Sequence, residues 1–132
     1  MDVGDPSNFI RIMELFTQSL DFLKEEVSGD TISDDTTATT IENVYKETGY
    51  ILDPHGAVAY KALQNYLKAY PQEAGFILET AHPVKFPEVV EEAIGQTIAI
   101  PDSVKFLLDK KKVSTALAAN YAAFKNWMKE GK

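Results

Sequence analysis

The sequence contains no cysteine. Disulfides, thiolate metal sites and cysteine nucleophiles are therefore excluded. Its two histidines, His55 and His82, are too few to support a zinc centre. Basic residues are in the minority, 13 against 20 acidic ones, and the net charge is −7. A surface of that sign repels nucleic-acid phosphates and anionic lipid, so neither is an expected partner. No apolar run approaches the roughly 18 residues that a membrane-spanning helix needs. The opening Met1-Asp2-Val3-Gly4-Asp5 lacks the basic and apolar regions of a signal peptide, which makes the cytoplasm the expected compartment. The phosphate-cradling loops GxGxxG and GxxxxGK(S/T) are missing, and so is HExxH. Seven serines and threonines lie between Ser28 and Thr40, but no GxSxG accompanies them.

What is present is ordinary for one folded domain. The chain has 132 residues, 45% hydrophobic and 25% charged, with no low-complexity segment and no obvious linker. Asp5-Pro6 reads as a helix cap followed by a first helical residue. Phe9, Ile12, Met13 and Phe16 follow at helical spacing. Leu20, Leu23 and Val27 extend that helix or form a second one, and Gly29 stops it. Asp34 and Asp35 read as caps of a helix carrying Ile41, Val44 and Tyr45, which ends at Thr48-Gly49. Asp53-Pro54 opens another, with Ala59, Ala62, Leu63, Tyr66 and Tyr70 along one side. Pro87 opens a helix with Val90, Ala93 and Ile94 inward and Gly95 closing it. A short helix with Val104, Leu107 and Leu108 precedes Lys110-Lys111-Lys112. A last helix holds Leu117, Tyr121, Phe124 and Met128.

Between these helices lie three strand candidates: Thr31–Ser33, Tyr50–Leu52 and Gly75–Glu79. Their separations of about twenty to twenty-five residues leave room for helical crossovers, the requirement for parallel pairing. The expected fold is therefore α/β: a three-stranded parallel sheet with crossover helices, flanked by N- and C-terminal helices. Such sheets normally have more strands, so the whole of residues 1–132 reads as one compact unit of a larger fold.

Ligands in open α/β sheets bind beyond the carboxyl ends of the strands. Those ends carry Asp34-Asp35, Asp53-Pro54-His55 and Thr80-Ala81-His82. Each group also has a structural reading. Asp34 and Asp35 can be caps. Asp53 can cap a helix or serve a site, and both readings stand. His55 can make a local hydrogen bond in a helix first turn. Thr80 can simply end a strand, and His82 can sit in a turn. Lys85 and the run Lys110–Lys112 read as solvated charges. The tyrosines Tyr60, Tyr66 and Tyr70 read as core. The residues alone give polar groups along one sheet edge and no complete catalytic set or metal site.

Three strings carry more information. Thr80-Ala81-His82-Pro83-Val84-Lys85-Phe86 resembles the TAHPAKF string of threonine synthases. Tyr50 to Tyr60, YILDPHGAVAY, resembles that family's GY…(D/E)PHxAV segment. Met1 to Phe9, MDVGDPSNF, resembles its MDVGxPSN. They occur in the family's order, and the resemblance spans nearly the whole chain, weakest beyond about Pro101. Position 5 is Asp where Asn is common, and position 56 is Gly where relatives vary between Thr and Ala.

The resemblance implies a pyridoxal-phosphate enzyme of the tryptophan-synthase-β-like fold (fold type II), a lyase of threonine biosynthesis. That family converts O-phosphohomoserine and water into threonine and phosphate. Its Schiff-base lysine and its Gly-rich phosphate loop belong to the N-terminal half. This chain matches the C-terminal third, and Met1 matches an internal methionine. The implied cofactor-binding residues are Thr80, facing the pyridine nitrogen with a neutral hydroxyl, and Asp53 and His55 of the DPH step. His55 and His82 carry no assigned chemistry. Lys85 is a motif residue and not the Schiff-base lysine. No catalytic residue is expected here, and the chain alone is expected to be inactive. Its expected partner is the N-terminal part of the same enzyme, and without it the chain is expected to self-associate. The alternative is a stand-alone, non-catalytic binding or interaction domain derived from such an enzyme.

Overall fold

The computed structural model describes residues 6–131. The chain divides into two compact units between Ile98 and Ala99. The first unit contains five α-helices. These are α1 (Phe9–Leu15), α2 (Leu20–Glu26), α3 (Asp34–Thr48), α4 (Pro54–Ala69) and α5 (Pro87–Ile94). A single 3-10 turn, Pro83–Lys85, precedes α5.

Local chemistry fixes the ends of α3 and α5. The Ser33 hydroxyl accepts the Thr36 N–H and caps α3, which places Asp34 and Asp35 in the first turn rather than at the cap. There their charges oppose the positive helix end. Gly49 terminates α3 in the left-handed region, φ 77°. Gly95 does the same for α5, φ 70°, and Pro87 opens it. Only glycine adopts this conformation at no steric cost.

Helix α3 packs against both α4 and α5. The core between them is Ile41, Val44, Leu52, Ala57, Val90 and Ile98. Ile51, Tyr60, Ile77, Phe86, Ala93 and Ile94 close around it. Burying an aliphatic side chain of this size contributes about 1.5–3 kcal/mol, so this small cluster is what organises the unit. The Gln96 amide donates to the Tyr45 hydroxyl and ties the end of α5 to α3.

The expected α/β fold with a three-stranded parallel sheet is not met: the described residues contain helices and no strand. The three candidate segments are irregular connections. Tyr50–Leu52 is a three-residue link from Gly49 to the Asp53 cap. The next N–H, that of Asp53, goes to the Glu79 carboxylate at 3.3 Å, a side chain rather than a neighbouring strand. Thr31 donates its N–H to Asp30 Oδ1. The short apolar runs read as strands are buried only in part: Leu52 and Ile77 reach the core, while Phe76 is 85% and Leu78 71% exposed. A sheet also needs a paired neighbour for each backbone group, and these segments lack one within the described chain.

The N-terminal expectations are met in part. Asp5 lies outside the described residues, as does most of the MDVGDPSNF string. Pro6 precedes the helix rather than opening it, because α1 begins at Phe9. The chain breaks between α1 and α2 at Thr17 and Gln18, both with positive φ, 53° and 60°. No residue of α1 is buried.

The second unit contains α6 (Asp102–Lys105) and α7 (Tyr121–Lys129). Asn120 caps α7 by accepting the Ala123 N–H, so Leu117, expected within that helix, falls before it. Leu107 and Leu108 follow α6 rather than belonging to it. Neither helix has a buried residue.

Candidate functional site

The polar centre of the first unit is the N-terminus of α4. Asp53 is its cap and Pro54 its first residue, the pairing the sequence reading identified. The Asp53 side chain is 0% exposed. Its Oδ1 accepts two hydrogen bonds from the same residue, one from the His55 N–H and one shared with His55 Nδ1, each 2.9 Å. Its Oδ2 is buried, and no N–H or alcohol hydroxyl reaches it. A buried carboxylate atom left in that state is costly.

A second carboxyl closes on this position. Glu79 lies 26 residues downstream, and its Oε1 accepts the Asp53 N–H. Its carboxyl occupies the space beside Gly56: a Cβ at position 56 would stand 2.0 Å from Glu79 Oε2. Gly56 is therefore the residue that lets the Glu79 carboxyl approach the first turn of α4.

The two carboxyl groups shift in opposite directions. Burial pushes the Asp53 carboxyl up, but hydrogen bonding with Glu79, the His55 N–H and the His55 ring outweighs it and holds the group below its ordinary value. Partial burial, together with the hydrogen bond and charge of Asp53, pushes Glu79 up to about 7. Two carboxyls this close do not both ionise freely. Asp53 is the ionised member and Glu79 the one that retains a proton toward neutral pH.

Of the other motif residues, Phe86 is the one in contact with this cluster, through the His55 ring. Glu79 immediately precedes Thr80, which is exposed. The His55 ring lies against Phe86, centroids 5.1 Å apart. His82 Nδ1 accepts the Val84 N–H and caps the 3-10 turn. The DPH string thus meets the TAHPVKF string through His55–Phe86, and the residue just before that string through Asp53–Glu79. No sheet edge brings them together, and Asp34 and Asp35 are not part of the cluster. Asp35 instead lines a groove of about 290 Å³ with Thr36, Thr39, Asn43, Tyr60 and Gln64.

His55 makes the local hydrogen bond expected of it, with a carboxylate as partner. Asp53 is a structural cap and also the buried charge of the cluster. Sequence reasoning missed Glu79. The available signal was Gly56, since glycine in a helix first turn invites the question of what approaches it.

A family model described as "Threonine synthase, C-terminal" matches residues 56–128. Threonine synthase of Escherichia coli K12 is 41% identical over 97% of this chain and 29% of its own length. That of Serratia marcescens is 37% identical over the same shares. The crystal structure of Escherichia coli threonine synthase superposes with a TM-score of 0.76 and 38% identity, covering 100% of this chain and 30% of that one. The structure of PLP-bound threonine synthase from Brucella melitensis gives 0.59 and 28% identity, covering 98% and 33%. The chain spans about 29% of the length of the relatives it matches.

Proposed function

The chain belongs to the threonine synthase family as its C-terminal part, and from that premise we propose that it supplies one wall of a pyridoxal-phosphate site. The whole protein would convert O-phosphohomoserine and water into threonine and phosphate. The observation that carries this reading is the meeting of two family strings at one point, where the His55 ring lies against Phe86.

The residues present fit part of such a site. Thr80 is exposed and directly follows Glu79 in the chain. A neutral hydroxyl can donate to an unprotonated ring nitrogen. Asp53 and His55 would stand beside the same ring, with Asp53 fixed by its cap geometry. When bound, the cofactor would supply an electron sink for proton removal from the amino-acid substrate. This chain's residues orient the ring and hold its nitrogen. The proton-abstracting lysine and the phosphate loop are assigned to the remainder of the protein. Lyase class, fold type II and a cytoplasmic location belong to the same proposal.

The exposed Phe76 and Leu78 would be covered by that remainder. The test is to assay the 132-residue chain and the full-length protein for threonine formation from O-phosphohomoserine, with borohydride reduction and peptide mapping after exposure to pyridoxal phosphate. Turnover by the full-length protein alone, with no stoichiometric lysine label in the short chain, supports the reading. Stoichiometric labelling of Lys85 in the short chain, or no turnover by the full-length protein, refutes it.

A further inference from the structure

We infer that Glu79 is a positioning residue for the Asp53–His55 pair: its carboxyl, admitted by Gly56, places a proton on the otherwise donorless Asp53 Oδ2. Three observations carry this. Asp53 Oδ1 is already taken by both His55 donors. Asp53 Oδ2 is buried, and no N–H or alcohol hydroxyl reaches it. The Glu79 carboxyl sits over Gly56, where a Cβ would collide with it, and is bonded to the Asp53 backbone.

Only a protonated carboxyl can donate. With Glu79 neutral, each oxygen of Asp53 has a donor, and the Asp53 carboxylate is held in the plane that receives His55. When Glu79 loses its proton, two like charges face each other at one helix end. Asp53 and His55 are the titratable groups that bear on Glu79, and the elevation of Glu79 to about 7 agrees with this arrangement. Gly56 and Glu79 are thus a matched pair. The colliding atom belongs to the far end of a flexible side chain, so alanine at 56 would evict the carboxyl rather than break the helix. Position 56 then decides whether residue 79 can reach Asp53 at all.

The inference rests on the proposed function only for its consequence in turnover, so its test uses a different readout. In the full-length protein labelled at the glutamate side-chain carboxyl carbon, the Glu79 resonance is identified by its loss in Glu79→Gln and followed by NMR from pH 3 to 9. The wild type is expected to titrate there near pH 7. Gly56→Ala, which evicts the carboxyl, should move that midpoint down toward the ordinary 4.5, and so should Asp53→Asn, which removes the facing charge. A midpoint that stays near 7 in both variants overturns the inference. Loss of turnover with that midpoint intact would count against the proposed function instead.

Discussion

Asp53 holds His55 at two points on one oxygen, the backbone N–H and the ring Nδ1 each standing 2.9 Å from Oδ1. One side chain therefore starts helix α4 and fixes the imidazole two residues on. The capping energy and the orientation of the ring are inseparable at this position.

Replacing Asp53 by Ala removes both roles. Loss of a helix cap costs about 0.5–2 kcal/mol, and the Glu79 carboxyl loses the neighbour that raises it. The midpoint of urea denaturation should fall, and Glu79 should titrate closer to its ordinary value of 4.5. An unchanged midpoint would show that the buried cap contributes nothing to folding.

The carboxyl pair also fixes the pH dependence of stability. Asp53 is held below its ordinary 3.8, so its contribution is complete above that value and is lost as pH falls through the lower folded value. Glu79 is raised from 4.5 to about 7. Its contribution is complete below 4.5 and is lost as pH rises through about 7. Denaturation midpoints should decline between those two values, and Glu79→Gln should flatten that decline while leaving the acid limb in place. An equal decline in the variant would remove Glu79 as its cause.

The exposed apolar groups predict association. Phe76, Leu78 and the unburied helix α1, with Phe9, Ile10 and Leu15, offer apolar surface that water does not favour. The chain studied by itself should sediment as more than one copy, and Phe76→Ser with Leu78→Ser should shift it toward the monomer. A strictly monomeric wild type would show that this surface needs no cover.

The legible parts of the fold were those set by local chemistry. Gly49, Gly95, Pro54 and Pro87 act through their own backbone and Asp53 through a side chain two residues from its donor, and each marks a helix end as read. Tyr50–Leu52 and Gly75–Glu79 read as strands because they are apolar, yet only Ile51, Leu52 and Ile77 of them pack on the core, and strand pairing depends on neighbours that the described residues do not provide. Ser33, Asp34 and Asp35 are all good cap formers, and only geometry picks out Ser33. Glu79 stayed hidden because its role depends on a fold over 26 residues and on the missing side chain of Gly56.

The most direct test of the account is Thr80→Val in the full-length protein, with cofactor occupancy checked by absorbance. Valine keeps the shape and β-branching and removes the hydroxyl. A buried polar group deprived of its partner costs on the order of 1–3 kcal/mol, which at the transition state lowers the rate by roughly tenfold to a hundredfold. The account predicts that loss in threonine formation at full occupancy. Wild-type turnover in Thr80→Val at full occupancy would contradict it and leave Thr80 as a residue that only ends a segment of chain.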